Sequence, residues 1–86
     1  MYTFEIKEEL EKSLRKLAKK DKQLYESVMK KILQIAESPA TGKPLTNVLK
    51  GKKRVHIGHF VLIFSVDDKE KKVTFLEFEH HDNAYN

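Results

Sequence analysis

The sequence has 86 residues, of which 40% are hydrophobic, no cysteine, and a formal net charge of +4. This length predicts one small domain over residues 1–86, built on a single hydrophobic core. The lack of cysteine excludes a disulfide framework and cysteine-bound zinc, and it suits a reducing cytoplasm, which is the expected location. We expect no signal peptide and no membrane contact, because no apolar run approaches the ~20 residues of a membrane span.

The N-terminus predicts a short strand. Residues 2–6 alternate apolar and polar side chains, which turns Tyr2, Phe4 and Ile6 inward. We expect this strand beside the third strand of the sheet or at one of its edges.

Two amphipathic helices are predicted next. Leucines recur at helical spacing from Glu8 to about Lys20, with acidic residues early and lysines late, as the helix dipole favours. Asp21 can cap a second helix, which runs to about Glu37 and ends at Ser38-Pro39. The apolar stripes of the two helices predict an antiparallel pair that packs on a core.

Residues 40–49 predict an irregular connection, and a hairpin follows it. Lys52–Ile57 and Phe60–Val66 predict two strands, joined at Gly58-His59 by a two-residue type II′ turn with glycine first. This turn sets the register, in which His56 faces Val61 and Arg54 faces Ile63. These four side chains share one exposed face of the sheet, and the other face packs on the helices.

The C-terminal part predicts one more strand. A polar loop at residues 67–71 leads to a fourth strand, Lys72–Glu79, and residues 80–86 form a tail. The fold class is therefore α+β, with the order β-α-α-β-β-β. It is a small, largely antiparallel sheet with two antiparallel helices packed on one face.

A cluster of polar side chains is predicted on the exposed face. Arg54 and His56 point there from the second strand, and three lysines flank the entrance: Lys50, Lys52 and Lys53. The tail can bring three aromatic or imidazole rings alongside: His80, His81 and Tyr85. Such a cluster has cations for phosphate, imidazoles for proton transfer near neutral pH and a ring to stack on a base. These are the parts of an RNase that works without a metal, because RNA supplies its own 2′-hydroxyl nucleophile.

Each part of the cluster has a simpler interpretation. The basic run Lys50–Arg54 can be a charged edge that prevents aggregation of sheets, Tyr85 can close the core, and any one histidine can be a polar surface residue. The positive charge as a whole can reflect a solvated surface rich in lysine and glutamate. A metal site at His80, His81 and Asp82 is disfavoured, because no histidines have helical ligand spacing. We expect no metal and no cofactor.

The element order and two motifs resemble the RelE/ParE superfamily of toxins from type II toxin–antitoxin systems. The hairpin from Arg54 to Phe64, Arg-Val-His-Ile-Gly-His-Phe-Val-Leu-Ile-Phe, is similar to the family's Arg-Val-x-Val-Gly-x-Tyr-Arg-Val-Ile-Tyr. The tail from His80 to Tyr85 is similar to one of His-Arg-x-x-Val-Tyr type. Leu49-Lys50-Gly51 and Ser38-Pro39 also match, so the resemblance covers essentially the whole chain.

The resemblance implies a RelE-like mRNA interferase that cleaves messenger RNA in the ribosomal A site. It also implies a cognate antitoxin bound to the toxin in a hetero-oligomer. By position, the resemblance makes four residues candidates for catalysis: Arg54, His56, His81 and Tyr85. Five more are candidates for RNA binding: Lys50, Lys52, Lys53, His59 and His80.

Two positions depart from the family pattern. Val61 stands where the family usually has a phosphate-binding arginine, and His81 stands at the tail's arginine. One interpretation is a histidine-based site, with His56 and His81 as base and acid and Arg54 as the phosphate clamp. The alternative is a non-nucleolytic member, either a gyrase-poisoning ParE-like toxin or a catalytically impaired protein that binds antitoxin or RNA.

Overall fold

The computed structural model describes residues 1–40, 43–44 and 52–84. These residues form eight elements in chain order: β1 (Thr3–Ile6), α1 (Glu8–Lys20), α2 (Lys22–Glu37), β2 (Lys43–Pro44), β3 (Lys52–Ile57), β4 (Phe60–Asp67), β5 (Lys72–His80) and α3 (His81–Ala84). No helix in these ranges is both long and apolar enough to cross a membrane. The predicted α+β class and order of main elements are confirmed, and two short elements, β2 and α3, are added.

The strands form one mixed sheet in the order β1-β5-β4-β3-β2. β1 runs parallel to β5 at one edge, and the other neighbouring strands are antiparallel. The edge was one of the two positions expected for β1, but its neighbour is the last long strand of the chain. The predicted hairpin register is confirmed, with His56 opposite Val61 and Arg54 opposite Ile63. Gly58 has a φ of +62°, as the first turn position of a type II′ hairpin requires.

The helices pack on one face of this sheet. The side chain of Asp21 accepts a hydrogen bond of 3.1 Å from the backbone N–H of Leu24, which caps α2 as predicted. The core joins apolar residues of both helices to those of β3, β4 and β5: Leu10, Leu14, Val28, Ile32, Ile35, Ile57, Leu62, Phe64, Val73 and Phe75. Tyr2 and Ile6 pack against this core, and Phe4 meets the ring of the core residue Phe75 edge-on at 6.0 Å, although it is 37% exposed at the sheet edge.

A β-bulge in β5 changes the face that lies away from the helices. Ile63 pairs with Glu77 while Phe64 pairs with Phe75, so Leu76 is an extra residue in β5. Leu76 packs on Val61 and Ile63, both of which are buried. The prediction of a fully exposed face is therefore wrong at its centre. An apolar ridge runs along that face, and polar residues lie on both sides of it.

Candidate active site

Two histidines meet on the face away from the helices. The rings of His56 on β3 and His81 at the start of α3 have centroids 5.4 Å apart and planes 31° apart. Both side chains are exposed to solvent. The hairpin register places His56, and the end of β5 places His81, so two distant parts of the sequence supply one pair of imidazoles.

Backbone contacts determine where His81 lies. Its N–H donates a hydrogen bond of 2.9 Å to the carbonyl of His59, which anchors the start of α3 to the hairpin turn. The Asp82 carboxylate lies 3.8 Å from Nδ1 of His81, so the two form an ion pair whenever this imidazole is protonated. The hydrogen bond from His81 to His59 links the turn to the tail and holds His81 near the start of β4.

Cations extend the site along β3. Lys52, Arg54 and His56 alternate along this strand and therefore share the face away from the helices. Arg54 and Lys52 are half-buried. A phosphodiester on this face would meet two fixed positive charges beside the imidazole pair.

Lys53 does not belong to this group. It pairs with the core residue Phe64 and therefore points toward the helix side of the sheet. Its Nζ donates a hydrogen bond of 3.2 Å to the carbonyl of Pro39, just beyond α2. This contact ties the end of α2 to the sheet and gives Lys53 a structural role.

The remaining two histidines form a separate pair. His59 and His80 stack with centroids 6.4 Å apart, and His80 also meets the ring of Phe60 edge-on at 5.5 Å. His80 pairs with Phe60 in the sheet, which turns it to the helix side. Its Nδ1 accepts a 3.3 Å hydrogen bond from the N–H of Asp82. The four histidines thus form two pairs, on opposite sides of the sheet end.

Two candidate residues, Lys50 and Tyr85, lie outside the described residues. Within the described ranges, no group of three or more histidine, aspartate and glutamate side chains could hold a metal ion.

Two carboxylates near the site were not identified from the sequence. Glu79 pairs with Val61, and Glu77 pairs with Ile63, so each lies on β5 across the apolar ridge from the basic strand. In a regular strand both would share the face of the buried Phe75, and the bulge at Leu76 reverses them. The sequence contains one sign of this bulge. The residues of β5 that pack on the core are odd-numbered at Val73 and Phe75 but even-numbered at Phe78, as one extra residue requires.

Comparisons with known proteins identify the family of this chain. The family model described as the ParE toxin of type II toxin–antitoxin systems matches residues 4–85. A Methanocaldococcus jannaschii protein provisionally named toxin RelE4 is 45% identical over 99% of this chain and 92% of its own length.

Solved structures share the fold. A chain of the RelBE2 toxin–antitoxin complex from Mycobacterium tuberculosis is 25% identical, with a TM-score of 0.79 over 92% of this chain and 96% of its own. A YoeB/ParE toxin from Agrobacterium tumefaciens is 12% identical, with a TM-score of 0.81 over 92% of this chain and 98% of its own. The fold is thus that of small toxins from toxin–antitoxin pairs. The chain belongs to the RelE/ParE superfamily of type II toxins, and within it to the family of the ParE toxin.

Proposed function

We propose that this toxin is a metal-independent endoribonuclease that cleaves messenger RNA on the ribosome. The observation that carries the proposal is the pair of His56 and His81, whose rings are 5.4 Å apart beside the cations of β3. Both rings are exposed, so a substrate can reach them.

The reaction divides into three tasks. One imidazole, neutral at the start, takes the proton of the 2′-hydroxyl, and the resulting oxygen attacks phosphorus. The other imidazole, protonated at the start, gives its proton to the departing 5′-oxygen, which leaves a 2′,3′-cyclic phosphate. Arg54 neutralises the charge that builds up on the phosphate oxygens, and Lys52, further along β3, attracts the RNA backbone.

The geometry constrains how substrate lies in this site. Ring centroids 5.4 Å apart leave no room for a phosphate between the two ring faces. The phosphate therefore lies across the ring edges, above the apolar ridge of Val61, Ile63 and Leu76. This placement keeps it near Arg54 and away from Glu77, which stands on the far side of the ridge.

A cognate antitoxin is the expected protein partner. The M. tuberculosis protein with the same fold was solved as a toxin–antitoxin complex. An acidic partner segment would form ion pairs with the basic strand at Lys52 and Arg54 and cover the imidazole pair in the same contact. Such a complex would be an inactive hetero-oligomer until the antitoxin is removed.

Ribosomes programmed with a defined message provide the test. Purified toxin is added, and the RNA is scored for cleavage at the A site and for a cyclic phosphate on the new 3′ end. Cleavage by the wild type that is lost in His81→Ala supports the proposal. Intact messenger RNA at saturating toxin contradicts it.

A second candidate is a toxin that acts without cutting RNA, such as a gyrase poison. The match to the ParE family and the fully buried Val61 at the position of the family's usual arginine favour it. Inhibition of DNA supercoiling by purified gyrase, with messenger RNA intact in the same cells, would select this alternative.

A further inference from the structure

A groove lies between α2 and β3, next to the imidazole pair. It has a volume of about 360 Å³ and is lined by Ser27, Lys30, Lys31, Gln34, His56 and Ile57. Two lysines reach the groove from α2, one histidine reaches it from β3, and none of the described lining residues is acidic.

The opposite flank of the sheet has the reverse charge. A smaller groove of about 120 Å³ lies between α1 and β5, and the part of its lining that the structure describes includes Glu9, Glu77 and Glu79 but no cation. The two grooves therefore differ in charge, with lysines in the groove beside β3 and carboxylates in the groove beside β5. A phosphate that approaches the imidazole pair is attracted by Lys30 and Lys31 and repelled by Glu77 and Glu79.

We propose that the groove between α2 and β3 binds a backbone phosphate of the RNA, next to the scissile one. The inference rests on the proposed function and extends its site. His56 belongs to both places, since it lines the groove and also meets the His81 ring. One strand of RNA can therefore cross His56, with one phosphate at the imidazole pair and its neighbour held by Lys30 and Lys31.

The chemistry of the groove fits a phosphate diester better than a base. Two ammonium groups supply several donors and full positive charge, whereas the described lining contains no aromatic ring other than the His56 imidazole on which a base could stack. Binding of this kind does not depend on base sequence and weakens as salt is added. Since the lysines touch a phosphate away from the reacting bond, they set affinity and leave the chemical step unchanged.

The test compares two double variants with the same change of charge. Lys30→Ala with Lys31→Ala removes the groove cations, and Lys16→Ala with Lys19→Ala removes two exposed lysines of α1. Alanine is the best helix former, so both variants should fold, which circular dichroism checks. The probe is a short 2′-O-methyl RNA oligomer, which lacks the nucleophile, and its binding is measured by fluorescence anisotropy over a salt series.

We expect the groove variant to bind the oligomer about fivefold to tenfold more weakly than the α1 variant. The slope of log affinity against log salt should become shallower by about 1.4, or 0.7 for each lost phosphate contact on a single strand. Equal binding by the two variants would overturn the inference. Weaker binding of a polyglutamate peptide by the groove variant, with RNA binding unchanged, would overturn it in favour of an acidic protein ligand.

Cleavage on programmed ribosomes separates this inference from the proposed function. A higher KM with unchanged kcat in the groove variant supports the groove as an RNA subsite. If the wild type cuts but both variants share its KM, the groove assignment fails alone. If the wild type binds the oligomer through Lys30 and Lys31 but does not cut, the proposed cleavage fails while the phosphate site stands.

Discussion

The His56 and His81 rings lie 5.4 Å apart because the carbonyl of His59 accepts a hydrogen bond from the backbone of His81. The turn of the hairpin thus positions a residue at the far end of the next strand. The pair depends on the sheet as a whole, since one ring comes from β3 and the other from the start of α3, which follows β5.

The first prediction concerns this pair. His56→Ala and His81→Ala should each reduce single-turnover cleavage on ribosomes by about 10²–10⁴-fold, the usual contribution of a general acid or base. The double variant should lose less than the product of the two single losses, because the two imidazoles act in one step. His59→Ala removes a histidine from the same hairpin and is the matched comparison. A chemical step as slow in His59→Ala as in His56→Ala would refute the assignment of the pair.

The second prediction compares two adjacent lysines on opposite faces. Lys52→Ala should make the salt dependence of RNA binding shallower by about 0.7, with little change in stability. Lys53→Ala should instead reduce the free energy of unfolding by about 1 kcal/mol, because its partly buried hydrogen bond to Pro39 is lost. Urea unfolding and anisotropy on both variants give the answer. The reverse pattern would show that the faces are misassigned.

The third prediction concerns Val61, which is fully buried and packs with Ile63 and Leu76 in the apolar ridge. Val61→Arg should destabilise the fold by about 2 kcal/mol or more. A guanidinium is unfavourable among apolar side chains, so the arginine must push Ile63 or Leu76 aside to reach solvent. Val61→Ala should cost about 1–2 kcal/mol, because it only removes methyl groups. Urea unfolding gives both values. An arginine variant that is as stable as the wild type and cuts RNA faster would show that this position accepts a phosphate clamp.

The fourth prediction concerns Gly58. Its φ of +62° is a conformation that alanine adopts only with strain, although a methyl group at this position would meet no other atom within 4 Å. Gly58→Ala should therefore cost about 1–2 kcal/mol from backbone strain alone. His59→Ala changes the second turn position, which does not have a positive φ, so it should cost less, and thermal unfolding of the two variants measures the difference. Equal losses would point to a cause other than backbone conformation.

The fifth prediction is a pH dependence at the N-terminus. The hydroxyl of Tyr2 donates a 2.8 Å hydrogen bond to Asp68; this bond, then lost hydration and the carboxylate charge, raises the pKa of Tyr2 above its usual 10.0. A raised pKa means that the stabilising effect is complete below pH 10.0 and is lost as pH rises through the higher folded-state value.

Tyr2→Phe isolates this effect from the lysines that titrate in the same range. The wild type should be more stable than Tyr2→Phe at neutral pH, and the difference should shrink and then vanish above about pH 10. Urea unfolding at several pH values measures both proteins. A difference that stays constant with pH would mean that the hydroxyl contributes without the carboxylate.

Local patterns in the sequence determined most of the elements of this protein. Alternation and helical spacing predicted the long elements, and Gly58 in a two-residue turn set the hairpin register, so His56 and Arg54 were placed on one face correctly. These features depend on neighbours within a few residues, and such short-range geometry is written directly in the chain.

Tertiary structure decided the features that depend on distant strands. The bulge at Leu76 buried Val61 and turned Glu77 and Glu79 toward the site face, because β5 had to satisfy the pairing of β4 along its whole length. The division of the histidines into two pairs also followed only from the packing of the tail on the turn. No local pattern reports these contacts, since the free energy of each depends on where the other segment comes to lie.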